Sequence, residues 1–178
     1  MFCSCGRRAT LLKDFRKSMN GCGKIVATDM SPVAPALFMA DETYLVPRID
    51  DPSYYEHVLD ICEKSKVKAI TTLIDPEIEI LAKNREDLLS KGILPLCPAD
   101  WTARLCYDKY EMFKYLHDKG VRTILTYNSL EEFKNGLEKG KISFPVFMKP
   151  INGSGSVGIG KVNSWEEAEA KFKDGKFT

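Results

Sequence analysis

Strand-like and helix-like segments alternate along the first half of this chain, and this alternation limits how it can fold. Apolar runs such as residues 24–28 and 69–74 are followed by stretches in which apolar residues recur at helical spacing. Parallel neighbouring strands need a crossover connection, which is usually a helix. The sequence therefore predicts an α/β fold with an open, doubly wound, Rossmann-like parallel sheet up to about residue 97.

Five strands and their intervening helices are expected in this half. The first helix spans Ala9–Met19 and stops at Asn20-Gly21, since glycine is common just after a helix. Asp51-Pro52 is expected to open a second helix, because proline suits the first helical turn. Asp75-Pro76 is expected to cap a third. The predicted strands are residues 2–4, 24–28, 43–46, 69–74 and 93–96.

Ligands of such sheets bind outside the carboxyl ends of the strands. Residues near these predicted ends are weak candidates for substrate contacts: Gly6, Arg7, Arg8, Asp29, Asp75 and Glu77. Asp29 fits a ribose-binding acid and equally a cap or turn residue, whereas Asp75 is better explained by helix capping. The two arginines meet an anionic substrate or remain solvated. Gly6 stands alone where a dinucleotide loop needs three glycines, which disfavours a nicotinamide-dependent enzyme.

A second unit is predicted from residue 98 to residue 178. One helix covers residues 101–106, and Asp108 caps the next. Ser129 and Ser164 each begin a capping box, with a glutamate three residues later. After the Asp108 helix, the expected order is extended segment, helix, strand, glycine-rich loop, strand and helix.

The strand at residues 144–149 ends in Lys149 and runs into a glycine-rich segment, residues 152–161. Closely spaced glycines let backbone N–H groups surround phosphate oxygens, and a lysine at a strand end adds a positive charge. Glycine and serine also form ordinary flexible hairpins. The combination favours phosphate binding over a plain turn.

Three phosphate-loop patterns overlap in this segment. Gly155–Lys161 fits the Walker spacing, but Val162 stands where that loop needs a hydroxyl for Mg²⁺. Gly153–Gly158 fits the dinucleotide spacing, but the next helix begins only after Ser164 and not within the glycines. A hairpin that folds over phosphates resembles the kinase arrangement mechanically, although the kinase lysine follows the glycines.

Composition restricts the class of protein. A length of 178 residues, 44% of them hydrophobic, allows one large domain or two small ones with a packed core. The net charge of +1 and the lack of a long basic run disfavour nucleic-acid binding. No apolar stretch is long enough to span a membrane or to act as a signal peptide, so a cytoplasmic location without membrane partners is expected.

The six cysteines lack C-x-x-C spacing, and only Cys3 and Cys5 lie close enough in sequence to suggest a metal pair. That spacing is poor for zinc, so reduced and mostly buried thiols are expected. His57 and His117 fall in helical patterns and are expected on helix surfaces. No metal site and no catalytic residue is assigned from these residues.

With these segments placed, the chain resembles the ATP-grasp superfamily, specifically carbamoyl-phosphate-synthase-like ligases of the large-subunit type. The resemblance covers nearly the whole chain, and the matching segments are residues 6–8, 27–36, 73–77, 108–110 and 144–160. It implies a pre-ATP-grasp domain at residues 1–97 and a first ATP-grasp subdomain at residues 98–178. The second would be a partial, incomplete α+β subdomain.

The resemblance also implies a binding site for ATP. Lys109 and Lys149 are the implied contacts to the ATP phosphates, and a mobile loop closes over them. Its implied residues are Asn152, Gly153, Ser154, Gly155, Ser156 and Gly158. Such ligases use ATP to phosphorylate a carboxylate or bicarbonate, and an amine then displaces the phosphate or a second phosphorylation yields carbamoyl phosphate.

In the family, the adenine-binding hinge, the Mg²⁺ ligands and an arginine near the γ-phosphate lie beyond the counterpart of Thr178. We therefore expect the Mg²⁺ ligands outside this chain, in a missing C-terminal half or a split partner chain, and expect no catalysis by the chain alone. The alternative is a non-catalytic binding or regulatory module that holds a small anion. The carboxylate, the nucleophile and the oligomeric state stay open.

Overall fold

The computed structural model describes residues 1–153, 155–173 and 177–178. The chain divides into two compact units, Met1–Ala103 and Arg104–Thr178. Ser154, one of the predicted loop residues, lies outside the described residues. Along those residues, no helix combines the length and the apolar character needed to cross a bilayer.

The first unit contains a five-stranded parallel sheet with helices on its faces. The strands are β1 (Phe2–Cys3), β2 (Val26–Asp29), β3 (Glu42–Leu45), β4 (Ala69–Thr72) and β5 (Leu94–Pro95). The helices are α1 (Ala9–Met19), α2 (Tyr54–Lys64), α3 (Asp75–Lys83) and α4 (Arg85–Ser90), and a short 3₁₀ helix covers Leu37–Met39. A further helix, α5 (Asp100–Tyr107), spans the division between the units.

The strand order is β3-β2-β1-β4-β5, and every pair is parallel. Strand β1 lies in the centre, where Phe2 is paired with Ala27 on one side and with Thr71 on the other. The chain therefore winds outward from β1 first in one direction and then in the other. This topology confirms the predicted open, doubly wound parallel sheet.

Alternating strand residues enter two separate cores, because successive side chains point to opposite faces of a sheet. Cys3 and Val26 belong to one buried cluster together with Tyr54 of α2 and Leu88 of α4. Ala27 belongs to the other cluster, which contains Leu12 of α1 together with Ala34, Ala36 and Leu37. Both faces of the sheet are thus covered, as the nearly continuous apolar strands require.

Two helix starts differ from the sequence prediction. Helix α2 begins at Tyr54, and Pro52 lies in the preceding turn, which Asp51 holds through the backbone N–H and the hydroxyl of Ser53. Asp75 is the first residue of α3 and makes no capping hydrogen bond with its side chain, since Ile74 occupies the cap position. The expectation that Asp75 caps this helix was wrong.

The second unit combines three further helices with an antiparallel strand pair. The helices are α6 (Lys109–Asp118), α7 (Leu130–Glu138) and α8 (Trp165–Lys173), and the strands are β6 (Val146–Met148) and β7 (Gly160–Val162). Residues 177–178 pair with the chain just after β6. Buried Met148, Val162 and Ala168 form its core together with phenylalanine side chains.

The predicted caps of these helices are confirmed. The Asp108 carboxylate accepts hydrogen bonds from the N–H groups of Tyr110 and Glu111. The Ser129 hydroxyl accepts from Glu132 N–H at the start of α7. The Ser164 hydroxyl accepts from Glu167 N–H, and the Glu167 carboxylate reaches back to the N–H of Asn163, which is one residue earlier than in a standard capping box.

A buried carboxyl joins three elements of the first unit. Glu77 in α3 is fully buried and accepts hydrogen bonds from the hydroxyls of Tyr54 on α2 and Thr72 on β4. Burial raises the pKa of the Glu77 carboxyl above its ordinary value of 4.5, although the hydrogen bonds from Thr72 and Tyr54 oppose this rise. Glu77, a weak candidate for substrate contact, thus lies in the interior of the sheet domain.

Glu77→Ala is expected to lower the free energy of unfolding by about 2–4 kcal/mol, because it leaves the Tyr54 hydroxyl without its acceptor and opens a cavity. Glu77→Gln keeps the volume and one acceptor and is expected to cost less. Urea unfolding followed by circular dichroism measures both. Glu86→Ala removes an exposed carboxylate from α4 and is the control, expected within about 0.5 kcal/mol of wild type. Equal losses for Glu77→Ala and Glu86→Ala would contradict the structural role.

The raised pKa of Glu77 also predicts a pH dependence. Above pH 4.5 the unfolded chain releases a proton that the folded protein retains, so the free energy of unfolding falls as pH rises toward the folded-state pKa. Below pH 4.5 this contribution is fully present. Glu77→Gln, which cannot ionise, should therefore gain stability relative to wild type as the pH rises above 4.5 toward the folded-state pKa of Glu77. A difference that stays constant over this range would contradict the prediction.

Candidate functional site

A cleft of about 690 Å³ opens in the second unit, and it brings together Lys109 and Lys149. Lys109 is the first residue of α6, and Lys149 directly follows β6. Most of the remaining lining is apolar and includes Met112, Ile124 and Phe147. The two lysines that the sequence singled out separately therefore line one cavity.

Pairing with the last two residues fixes the backbone of Lys149. Its N–H donates to the carbonyl of Thr178 over 2.9 Å, and Thr178 N–H donates back over 2.8 Å. The side chain is half-buried, and its ammonium makes no hydrogen bond or ion pair with the described part of the chain. Lys149 therefore offers a positioned cation to the cleft.

The Lys109 ammonium lies against the start of the glycine-rich segment. It donates to the carbonyl oxygens of Pro150 at 2.9 Å, Ile151 at 3.3 Å and Gly153 at 3.0 Å. The backbone N–H of Lys109 also donates to Ile151 over 3.1 Å. The lysine and the segment are thus joined by carbonyl contacts that no sequence pattern indicated.

The N-terminus of α6 makes its own hydrogen bonds. Lys109 N–H is bonded to Ile151, and the Asp108 carboxylate accepts from Tyr110 N–H at 3.0 Å and from Glu111 N–H at 2.9 Å. The first turn of a helix attracts anions only through N–H groups that lack partners. An anion in the cleft would therefore meet lysine side chains and not this helix end.

The glycine-rich segment turns through residues 155–158 before β7. Gly158 has a φ of +75°, and a Cβ atom there would lie 2.8 Å from the Pro150 ring, so a larger residue would be strained and crowded. Gly155 and Ser156 lie in this exposed turn. Asn152 is also exposed, and its side-chain amide donates to the carbonyl of Tyr107 over 3.3 Å. The start of the predicted loop, Asn152 and Gly153, thus contacts the chain around the start of α6.

In the first unit, Asp29 holds the turn that follows β1. Its carboxylate accepts from Gly6 N–H at 2.7 Å and from Ser31 N–H at 2.9 Å, and the residue is buried. Because Gly6 N–H already has this partner, it does not point at a ligand as a dinucleotide loop requires. Asp29 thereby acts as the turn residue that the sequence left open.

The other weak candidates of the first unit differ in their contacts and in their burial. Arg8 donates to the Leu73 carbonyl over 2.9 Å, which ties the turn after β1 to the end of β4. Arg7 and Asp75 are exposed, whereas Glu77 is buried in the network described above. The candidates that make these contacts therefore stabilise the fold at this end of the sheet.

The cysteines and histidines form no metal cluster in the part of the chain that the structure describes. All six thiols are free, and Cys3, Cys5 and Cys62 are buried while Cys22 and Cys106 are exposed. Burial raises the pKa of Cys5 and of Cys62 to about 11, which keeps both thiols protonated and unreactive. Both histidines lie exposed on helices, as predicted.

Sequence reasoning missed much of the lining of the cleft. Ile124 is 85% exposed and Phe147 is 62% exposed, although both are large and apolar. No sequence pattern indicated that the extended segment carrying Ile124 lines the same cleft as β6. Exposed apolar side chains in a cleft are a signal that only the folded chain reveals.

Comparison with known proteins indicates the family of the chain. A sequence profile of the family described as PylC-like, N-terminal domain, matches residues 1–96. A D-alanine–D-alanine ligase from Corynebacterium jeikeium is 54% identical over 33 residues, which are 18% of this chain and 9% of the ligase.

Solved structures of low sequence identity share the fold. The biotin carboxylase domain of 2-oxoglutarate carboxylase from Hydrogenobacter thermophilus, solved with MgADP, ADP and bicarbonate, has a TM-score of 0.70 and 21% identity. This similarity covers 97% of the chain and 39% of that structure. N5-carboxyaminoimidazole ribonucleotide synthetase from Thermotoga maritima has a TM-score of 0.63 and 20% identity, covering 95% of the chain and 42% of that structure.

The chain thus spans about two fifths of the length of these two structures, 39% and 42%. The comparisons confirm the fold class expected from the sequence and the resemblance to the N-terminal part of ATP-grasp proteins.

Asp29→Ala is expected to lower the free energy of unfolding by about 2–4 kcal/mol, because two backbone N–H groups lose a charged acceptor. Asp29→Asn should give an intermediate loss. Its amide oxygen can accept from one of the two backbone N–H groups, but its NH₂ group cannot accept from the other. Denaturant unfolding measures the change, and Asp14→Ala on the exposed face of α1 is the control. If Asp29→Ala unfolded like Asp14→Ala, the turn would not depend on this carboxylate.

Proposed function

Because this chain belongs to the family of PylC-like N-terminal domains, we propose that it is the N-terminal portion of an ATP-dependent ligase. In this proposal, residues 1–97 form a pre-ATP-grasp domain and residues 98–178 form the first, incomplete ATP-grasp subdomain. The proposed reaction is ligation of a carboxylate or bicarbonate to an amine through an acyl phosphate, as in carbamoyl-phosphate-synthase-like enzymes.

One observation carries the proposal: Lys109 and Lys149 line the same cleft, directly beside the glycine-rich segment. Two cations close to one cavity favour a ligand with several negative charges. A triphosphate has such a charge distribution, whereas a single carboxylate does not need two lysines. The proposed contacts to the ATP phosphates are Lys109, Lys149 and the loop Gly153–Gly158, together with Asn152 at its start.

The rest of the cleft suits a nucleotide. Its volume of about 690 Å³ falls within the range of small-molecule sites. Met112, Ile124 and Phe147 offer an apolar surface for a purine ring, and the lysines lie on the same lining. A purine next to a polyphosphate matches this division between apolar and cationic surface.

The lysines would act mainly through charge. During phosphoryl transfer, negative charge shifts among the phosphate oxygens, and fixed cations stabilise that change. Lys149 is suited to this role because strand pairing with Thr178 fixes its backbone. Bound ATP would supply the phosphoryl group that activates the carboxylate.

Magnesium does not fit the lining of this cleft. Among the residues that the structure describes, the lining includes no aspartate, glutamate or histidine, and Mg²⁺ prefers oxygen ligands from carboxylates and phosphates. We therefore place the protein ligands of Mg²⁺ in residues outside this cleft, in a C-terminal half or a partner chain. The chain by itself is then expected to bind ATP without turnover. The MgADP and bicarbonate bound to the carboxylase domain support the same ligand classes for this family.

Lys149→Ala is expected to weaken ATP binding to the 178-residue chain by about 10- to 100-fold, because one charge-assisted contact contributes about 1.5–3 kcal/mol. Isothermal titration calorimetry with ATP measures this change directly.

Lys134→Ala removes the same charge from the exposed surface of α7, outside the cleft lining, and is the matched control. It is expected to bind ATP within about twofold of wild type, since exposed charges contribute little. No ATP binding by wild type, or equal affinities for wild type and Lys149→Ala, would overturn the proposed function. A small-anion module without nucleotide preference would instead bind phosphate and ATP equally well.

A further inference from the structure

Lys109 and Lys149 both line the cleft, but their ammonium groups differ in their hydrogen bonds. Among the described residues, the Lys109 ammonium donates to three carbonyl oxygens. These acceptors belong to one short stretch, Pro150–Gly153, called the carbonyl segment below. The Lys149 ammonium makes no such contact with the described residues. A phosphate can therefore contact Lys149 directly, whereas it competes with carbonyl oxygens for Lys109.

The carbonyl segment stays attached to α6 without the Lys109 ammonium. Lys109 N–H donates to Ile151 over 3.1 Å, and the Asn152 amide donates to Tyr107 over 3.3 Å. Neither bond uses the lysine side chain. The ammonium can therefore leave the three carbonyls while the segment remains close to the helix.

Phosphate oxygens are strong competitors for this ammonium. The carbonyl oxygens are neutral acceptors, whereas a phosphate oxygen is negatively charged and adds Coulomb attraction to its hydrogen bond with the ammonium. A lysine side chain has a flexible stem, so its ammonium can turn between nearby acceptors. Carbonyl oxygens hold the cation when no anion is present, and a polyphosphate replaces them when it enters the cleft.

We propose that the Lys109 ammonium exchanges between the carbonyl segment and a polyphosphate bound beside Lys149, so that ligand binding releases these three carbonyls. This inference rests on the proposed function and adds a conformational step to it. Occupation of the cleft thereby changes the contacts at the base of the glycine-rich segment. Lys109 both contacts the ligand and couples it to that segment.

The exchange makes the two lysines unequal in binding. Loss of Lys149 removes a phosphate contact with no compensation. Loss of Lys109 removes a contact whose formation requires breaking three others. Lys109→Ala is therefore expected to weaken polyphosphate binding by less than Lys149→Ala does, by under about threefold.

Carbonyl ¹³C chemical shifts in the 178-residue chain test the exchange, because they respond to the hydrogen bonds that each carbonyl accepts. The probe is inorganic tripolyphosphate, titrated into ¹³C,¹⁵N-labelled protein. The ¹³C′ signals of Pro150, Ile151 and Gly153 should move together with one saturation curve, toward their positions in unliganded Lys109→Ala. In Lys109→Ala the same signals should stay nearly still, while signals around Lys149 still move. Lys134→Ala should behave as wild type.

Three outcomes separate the proposals. Concerted movement of the three carbonyl signals in wild type, absent from Lys109→Ala, supports the exchange. Saturable shifts around Lys149 without movement of these carbonyls would overturn the exchange and leave the proposed function standing. No saturable shift anywhere in the cleft would overturn the proposed function and the exchange with it.

Discussion

The hydrogen bonds from Lys109 join two parts of the second unit that lie 41 to 44 residues apart in sequence. One ammonium and one backbone N–H place the start of α6 against the base of the glycine-rich segment. The pairing of Lys149 with Thr178 fixes the strand that precedes this segment. Because both lysines then line one cleft, the cation arrangement on which the proposed ATP site depends follows from these few long-range bonds.

The first unit uses its carboxylates differently. Asp29 and Glu77 both follow the pattern of a ligand site, since they lie near the carboxyl ends of parallel strands. Asp29 binds backbone N–H groups of the turns after β1 and β2, and Glu77 binds two hydroxyls in the interior. A buried carboxyl is stable only when such donors satisfy it. Their position in the fold is thus explained by structure, and the candidate chemistry belongs to the second unit.

The fold was largely predictable, because it depends on local patterns. Alternating apolar strands and amphipathic helices predicted the parallel sheet, and the caps Asp108, Ser129 and Ser164 placed three helix starts correctly. Local capping was misjudged at Asp75, where Ile74 takes the cap position. The lysines of the candidate site were found from a motif and a family resemblance. Their roles toward ATP stay predictions that binding measurements decide.

By itself, the sequence determined the fold class and three helix caps in the second unit, since periodicity and capping act over a few neighbouring residues. Only the tertiary structure decided that Asp29 holds Gly6 and that Glu77 is buried. It also decided that the Lys109 ammonium donates to backbone carbonyls and that Lys149 lines the same cleft. Each of these depends on contacts between distant residues, which no local pattern encodes.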